Sequence, residues 1–210
     1  MSLKVRIMHV LVRLGLDPLL RAYLRIRGEA TDYLVGDRRQ RFETIYREGR
    51  WTHADTNAQS LSGAGSTLEA TTSIRDELPA LLAELDATVL LDVGCGDFNW
   101  MRTLDLPCRY VGVDIVASVI EANQNAFSND RRDFLLLDAV SDELPSCDVA
   151  LCREVLFHLS FKEGLSVLRN LRKAGVLHLV ATSDPTVRFN ADIPTGAFRD
   201  VNLELSPFNL

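Results

Sequence analysis

Cysteine and histidine are scarce in this chain, and neither falls into a pattern that binds metal or cross-links. The four cysteines, Cys95, Cys108, Cys147 and Cys152, contain no C-x-x-C pair, and only four histidines occur in 210 residues. Without zinc-ligand spacing, reduced and mostly buried thiols are the expected state. No secretory leader is read either: the first twenty residues are apolar in places, but Arg13 and Asp17 interrupt them and no small-residue cleavage site follows. That pattern fits neither a signal peptide nor a spanning helix, and the cytoplasm is the expected compartment. Positive charge is short overall, with a formal net charge of -6. It gathers at one end, since residues 1–27 carry Lys4, Arg6, Arg13, Arg21, Arg25 and Arg27 against Asp17 alone, +5 there and -11 over the rest. An acidic body is a poor partner for a phosphate backbone, so nucleic acid is not expected to bind.

What is present suffices for one core, with 47% apolar residues. Apolar residues at helical spacing over 3–26, broken at Asp17-Pro18, predict two short amphipathic helices that pack as a lid. A basic amphipathic segment of this kind also suits contact with anionic lipid or a partner. Residues 37–50 predict a further polar helix. Trp51 to Asn57 and the small-residue run Ser60-Leu-Ser-Gly-Ala-Gly-Ser66 predict a mobile or ligand-ordered loop. Ser66 with Glu69 then reads as the cap of a helix that runs, with a break near Pro79, to about Leu85.

Short apolar runs alternate with helical segments from there on. Strands are expected at 88–93, 109–114, 133–137, 148–152 and 176–182, helices at 99–104, 116–127 and 161–173, and a helical turn near 154–158. The alternation predicts an α/β fold, a Rossmann-like three-layer α/β/α sandwich with a mainly parallel sheet. The natural division is residues 1–66 as an α-helical N-terminal lid with a covering loop, and 67–210 as the main domain.

Val89-Leu-Leu-Asp92-Val-Gly94-Cys-Gly96-Asp97 reads as a buried strand running into a tight turn, where two glycines let backbone approach a ligand. Twenty residues beyond Gly94, Asp114 ends the second strand, with Ile115 after it. A carboxylate there can accept both hydroxyls of a ribose. Asp138, followed by Ala139, ends the third strand. An acid before the turn and acids after the next two strands together point to a nucleotide-type ligand.

This set resembles class I S-adenosylmethionine (SAM)-dependent methyltransferases over roughly residues 86–182. The resemblance implies that the Asp92-x-Gly94-x-Gly96 turn faces the methionine part of SAM, that Asp114 holds the ribose and that Asp138 holds the adenine amine. Ile115, Ala139 and Arg153 fall among the implied cofactor contacts. Phe98 stands where the family often has a third glycine. An NAD-binding fold competes, but a G-x-G-x-x-G would need glycine at Asn99. Ser62-Gly63-Ala-Gly-Ser66-Thr is similar to a segment of a bacterial subgroup that closes over the SAM carboxylate, with Trp51 and Tyr46 as walls; the plainer reading is a surface loop. The small size, this loop and the polar C-terminal segment resemble the mycobacterial methylmannose polysaccharide O-methyltransferases, which implies a sugar acceptor.

The fourth strand runs out into Cys152-Arg153-Glu154-Val-Leu-Phe-His158. If 154–158 is helical, Glu154 and His158 share a face, and a neutral His158 can take a proton from an attacking hydroxyl while Glu154 orients it. Otherwise Glu154 pairs with Arg153. A divalent cation such as Mg held by Glu154, His158 and Asp97 is a further option, although no spacing requires a metal. His53 is a second candidate base. Polar groups at Thr182 to Asp184 and Arg188, Asn190, Asp192, Thr195 and Arg199 read as an acceptor site for hydroxylated compounds, or else as a polar cover over the sheet. The family's usual C-terminal hairpin has no counterpart after Thr182, so the strand at 176–182 is an open edge and a homodimer contact is expected there.

Overall fold

The computed structural model describes residues 3–29, 31–53 and 57–210. Five strands, β1 (Val89–Val93), β2 (Arg109–Asp114), β3 (Arg132–Leu136), β4 (Val149–Cys152) and β5 (His178–Ala181), form one parallel sheet in the order β3-β2-β1-β4-β5. Parallel strands are covered on both faces and therefore read as continuous apolar runs rather than alternating ones. β1 and β4 show this best, buried at almost every position. Their side chains still alternate between two cores. Leu90, Tyr110, Val149 and Leu151 point to one face with Leu78, Leu82, Phe98 and Phe134. Leu91, Val93, Val111, Ala150 and Cys152 point to the other with Leu156, Val167, Leu171 and Phe208.

The helices are α1 (Leu3–Arg13), α2 (Asp17–Ile26), α3 (Arg38–Arg47), α4 (Thr72–Glu84), α5 (Ala117–Phe127) and α6 (Phe161–Lys173). Asp37 starts α3 with a reciprocal cap to Gln40, and Ser160 starts α6 by accepting from the Glu163 amide. Three local expectations fail for identifiable reasons. Ser66 ends a 3-10 turn, its carbonyl accepting from Asn99 Nδ2 at 2.9 Å, and α4 begins only after Thr71. Pro79 lies inside α4 without ending it; the lost amide costs a hydrogen bond, but Leu78 and Leu82 beside it are fully buried and their packing outweighs that loss. The helix expected at 99–104 shrinks to a 3-10 turn at Met101–Thr103, since Phe98 takes a positive φ of 57° and Arg102 and Thr103 bond back to the carbonyls of Asn99 and Trp100. The helical turn expected near 154–158 is a 3-10 turn at Leu156–His158 that leaves Glu154, at φ 58°, outside it.

After β5 the described residues contain no further strand. The C-terminal stretch instead lays Val201, Leu203 and Phe208 over the core beside α6. α1 and α2 pack Met8, Leu20 and Leu24 on Leu34 and Ile193, and His9 Nδ1 accepts the Asp192 amide at 2.8 Å. Among the described residues no helix is long and apolar enough to cross a membrane.

Candidate active site

The sheet order places β2 and β3 on one side of β1 and β4 and β5 on the other. Connections leaving β1 and β4 therefore diverge, and the crevice between them is where ligands of open parallel sheets bind. A cleft of about 800 Å³, open mouth included, lies there.

Its floor is the turn after β1, and almost every polar group in that turn is accounted for. The amides of Gly94 and Cys95 both donate to the Val113 carbonyl, at 2.8 and 3.1 Å. The Gly96 amide donates to Asp114 Oδ2 at 3.1 Å, and the Gly96 carbonyl accepts from Asn123 at 2.7 Å. Asp114 Oδ1 takes the Val116 amide at 3.0 Å. Each Asp114 oxygen thus keeps a lone pair for a diol. Burial raises its pKa against the pull of those amides. Gly94 has φ 70°, and a Cβ there would sit 2.5 Å from Val155 Cγ2, so only glycine fits this floor.

The roof comes from residues 31–66. Tyr46, a partly buried phenol whose pKa desolvation pushes well above its ordinary value, shares a hydrogen bond with Ser62 Oγ at 2.9 Å. The 60–62 loop is clamped to the floor by Asp97, whose carboxylate accepts from Ser60 Oγ at 2.9 Å, the Leu61 amide at 2.6 Å and Ser62 Oγ at 3.1 Å. From α3, Arg38 reaches Asp138 at 2.5 Å and Glu163 at 2.5 Å. Asp138 also accepts from the Val140 amide and Ser141 Oγ, both at 3.0 Å. Burial alone would raise the Asp138 pKa, but Arg38 and these donors outweigh it and the carboxyl sits below its usual range.

The wall opposite β1 carries His158, stacked on Trp51 with ring centroids 4.9 Å apart and an interplanar angle of 28°. His158 Nδ1 lies 2.9 Å from the Ala197 carbonyl, which can only accept. The proton is therefore on Nδ1, and Nε2 presents its lone pair. Burial, opposed by that carbonyl and assisted by the Arg199 charge, lowers the His158 pKa to about 4. The turn is held from behind: Gly196 N donates to the His158 carbonyl at 2.8 Å, and the buried Arg199 donates to the carbonyls of Leu159 at 2.7 Å and Leu156 at 3.3 Å. Arg199 Nε has no partner, and burial lowers the Arg199 pKa to about 10, leaving it charged at neutral pH.

Ten of the residues singled out from the sequence line this one cleft: Ser62, Ser66, Gly94, Asp114, Ile115, Asp138, Ala139, Arg153, Glu154 and His158. Four do not. His53 is exposed and outside it. Gly63 sits behind the loop, where a Cβ would be 3.1 Å from Trp51 Cβ. Gly96 faces Ser62 and Tyr46 instead of the cavity. Asp92 is buried beneath the turn, accepting from Tyr110 Oη at 2.8 Å, and burial pushes its pKa up to about 7. Glu154 pairs with Arg153 at 3.0 Å, and Arg153 also donates to the Gly65 carbonyl at 2.8 Å. Glu154 rests against Gly65, where a Cβ would be only 2.0 Å from Oε2. With Asp97 engaged by the loop and His158 Nδ1 by a carbonyl, the cation site drawn from Glu154, His158 and Asp97 is not assembled. No metal-binding group of three or more His, Cys, Asp or Glu exists among the described residues.

Four polar residues of the C-terminal segment do not form an open acceptor site. Asn190, Asp192, Thr195 and Arg199 are all buried. Asp192 accepts from the amides of Phe161 and Ile193, Thr195 from the Ser160 amide, and Asn190 binds backbone of 202–206. Their hydrogen bonds hold the chain together. The sequence reading missed the lining residues Arg38, Phe42, Val155, Leu159 and Val167.

Residues 91–175 match the family model described as a methyltransferase domain, a stretch from β1 to just past α6. The match spans less than half of the chain, and together with the Rossmann-like parallel sheet it shows what the chain is similar to, a methyltransferase domain. No curated protein matches the chain. Among solved structures it is similar to magnesium protoporphyrin IX methyltransferase (ChlM) from Synechocystis PCC 6803 with bound SAM, with a TM-score of 0.50 and 15% identity, over 75% of this chain and 81% of that one. It is also similar to DhpI in complex with S-adenosylhomocysteine (SAH), with a TM-score of 0.51 and 19% identity, over 75% of this chain and 79% of that one. At these identities the likeness is one of fold.

Proposed function

We infer that this protein transfers the methyl group of SAM to an oxygen of a hydroxylated small molecule, sugars included. The residues present suit SAM: the Asp114 lone pairs face the cleft for a ribose diol, Gly94 leaves room that a side chain would fill, and Ser66 and Arg153 offer donors for a carboxylate. When bound, SAM supplies a methyl group carried on a positively charged sulfur. The single observation that carries the oxygen reading is the His158 imidazole, neutral, oriented by Ala197 and backed by the Trp51 face.

A hydroxyl becomes strongly acidic as its oxygen gains a methyl group, so a weak base suffices to take the proton. His158 Nε2 accepts that proton and passes it to water when the cleft opens, as its low pKa ensures. Trp51, Phe42 and Tyr46 exclude water and present flat faces on which a sugar ring can stack. Within the N-terminal segment, α3 and the loop that carries Ser62 and Ser66 then act as the lid over both ligands.

The test pairs calorimetric SAH titration with turnover of labelled SAM on a panel of mannosides and other alcohols. His158→Gln is expected to leave SAH affinity within about threefold and lower kcat by roughly 100-fold or more. Unchanged turnover removes His158 as the proton acceptor, and absence of SAH binding in the wild type removes the methyltransferase reading.

A further inference from the structure

The hairpin of α1 and α2 has two apolar faces. One packs on Leu34 and Ile193. On the other, Leu3 and Val10, seven residues apart on α1, continue at Leu14 in the turn, and Leu19 and Ile26, also seven apart, make a matching stripe on α2. These side chains are exposed, Val10 by 52%, Leu14 by 64% and Ile26 by 87%. Single exposed leucines are ordinary, whereas two stripes on one short hairpin mark a contact surface. Arg6 and Arg13 follow Leu3 and Val10 by three residues, which sets them beside the α1 stripe, and Arg25 and Arg27 are exposed at the far end of α2.

Charge and shape select the occupant. Residues 1–27 carry +5 on a chain whose remainder carries -11, so the hairpin attracts an anionic surface while the body is repelled from it. A second copy meeting the hairpin through the same face would set two segments of +5 against each other, and other large apolar side chains exposed on described residues, such as Val35, Leu61 and Leu177, lie outside the hairpin. A lipid headgroup layer offers phosphates for the arginines and an acyl boundary for the leucines, with arginine stems lying along the apolar face. On the hairpin's inner side, a groove of about 1370 Å³, open mouth included, is lined by Val12, Gly15 and Asp17 and by Arg38 and Asp138 of the cleft.

We propose that the outer face of α1 and α2 docks the protein on an anionic membrane surface, lying in the headgroup layer without crossing it. Co-sedimentation of the full chain with phosphatidylcholine vesicles, with and without phosphatidylglycerol, tests this in low and high salt. Binding is expected only with phosphatidylglycerol and is released by salt. Arg6→Glu with Arg13→Glu, and separately Leu14→Glu with Ile26→Glu, each lower the bound fraction on the order of tenfold or more. Both pairs leave SAH affinity and circular dichroism unchanged, because all four positions are exposed and outside the cleft. Equal recovery in the supernatant with both vesicle types overturns the proposal. So does a concentration-dependent dimer in light scattering that Leu14→Glu with Ile26→Glu abolishes in the absence of vesicle binding, which would assign the face to a second copy.

Discussion

The floor of the cleft draws its groups from a short span of sequence, Gly94 to Asn123, whereas the roof is joined to its partners across 100 residues between Arg38 and Asp138 and 125 between Arg38 and Glu163. The floor is backbone held by backbone and by one buried carboxylate, and its shape follows from strand ends that the sheet fixes. The roof is side chain held by side chain. Its position depends on how α3 and the 60–62 loop dock, through charge-assisted hydrogen bonds on Arg38 and Asp97 that a ligand can compete for. The difference teaches that one cleft can pair a rigid recognition surface with a separable cover, and it sets the order of the expected effects.

Breaking the floor is expected to cost most. Gly94→Ala places a methyl group on Val155 in a backbone conformation that L residues avoid, and SAH affinity should fall roughly 100-fold in calorimetric titration. Affinity within a few fold of wild type would mean that the turn adapts and that floor and roof are alike. Loosening the roof should cost less. Arg38→Gln leaves Asp138 and Glu163 without their shared cation; stability is expected to drop by about 2 kcal/mol, a fall in melting temperature of roughly 4–8 °C, with SAH affinity changed less than about tenfold. A loss of affinity as large as that of Gly94→Ala would make Arg38 part of the recognition surface.

The smallest effect concerns the shield that Trp51 gives His158. In Trp51→Ala, water reaches the imidazole, and its pKa, followed by NMR of the ring protons, should rise from about 4 toward the ordinary 6.5. The sign follows from linkage: a histidine whose folded pKa is depressed contributes stability that is present above pH 6.5 and lost as pH falls toward 4. Acid destabilisation in that window should therefore be present in the wild type and diminished in the variant. No change in the titration would place the shielding in Phe157, Phe198 and the Arg199 charge instead.

What could be read from the sequence divides along the same line. The parallel sheet and the floor were legible because strand periodicity, the two glycines and Asp114 sit in local patterns with a direct physical meaning. Asp92 fits the same local pattern yet lies beneath the turn, since alternation along β1 places it on the face of Tyr110. Arg38 was not legible: the cap Asp37–Gln40 marks where α3 begins, but nothing local pairs its first residue with an acid after β3. Glu154 and His158 share the cleft without sharing a helix, because the strain at Glu154 φ is stabilised by contacts with Gly65, Arg153 and Thr182 that spacing does not reveal. The residues 190–199 looked like a binding surface for a related reason. Composition counts polar groups, whereas burial and hydrogen-bond partners decide whether those groups face a ligand or the chain's own backbone.

Arg38 also links quantities that are measured separately. Because one guanidinium holds α3 to Asp138 at the cleft and to Glu163 at the head of α6, any ligand that takes over Asp138 changes the free energy of keeping α3 in place. Linkage is reciprocal: whatever displaces α3 must change the affinity for that ligand by the same factor.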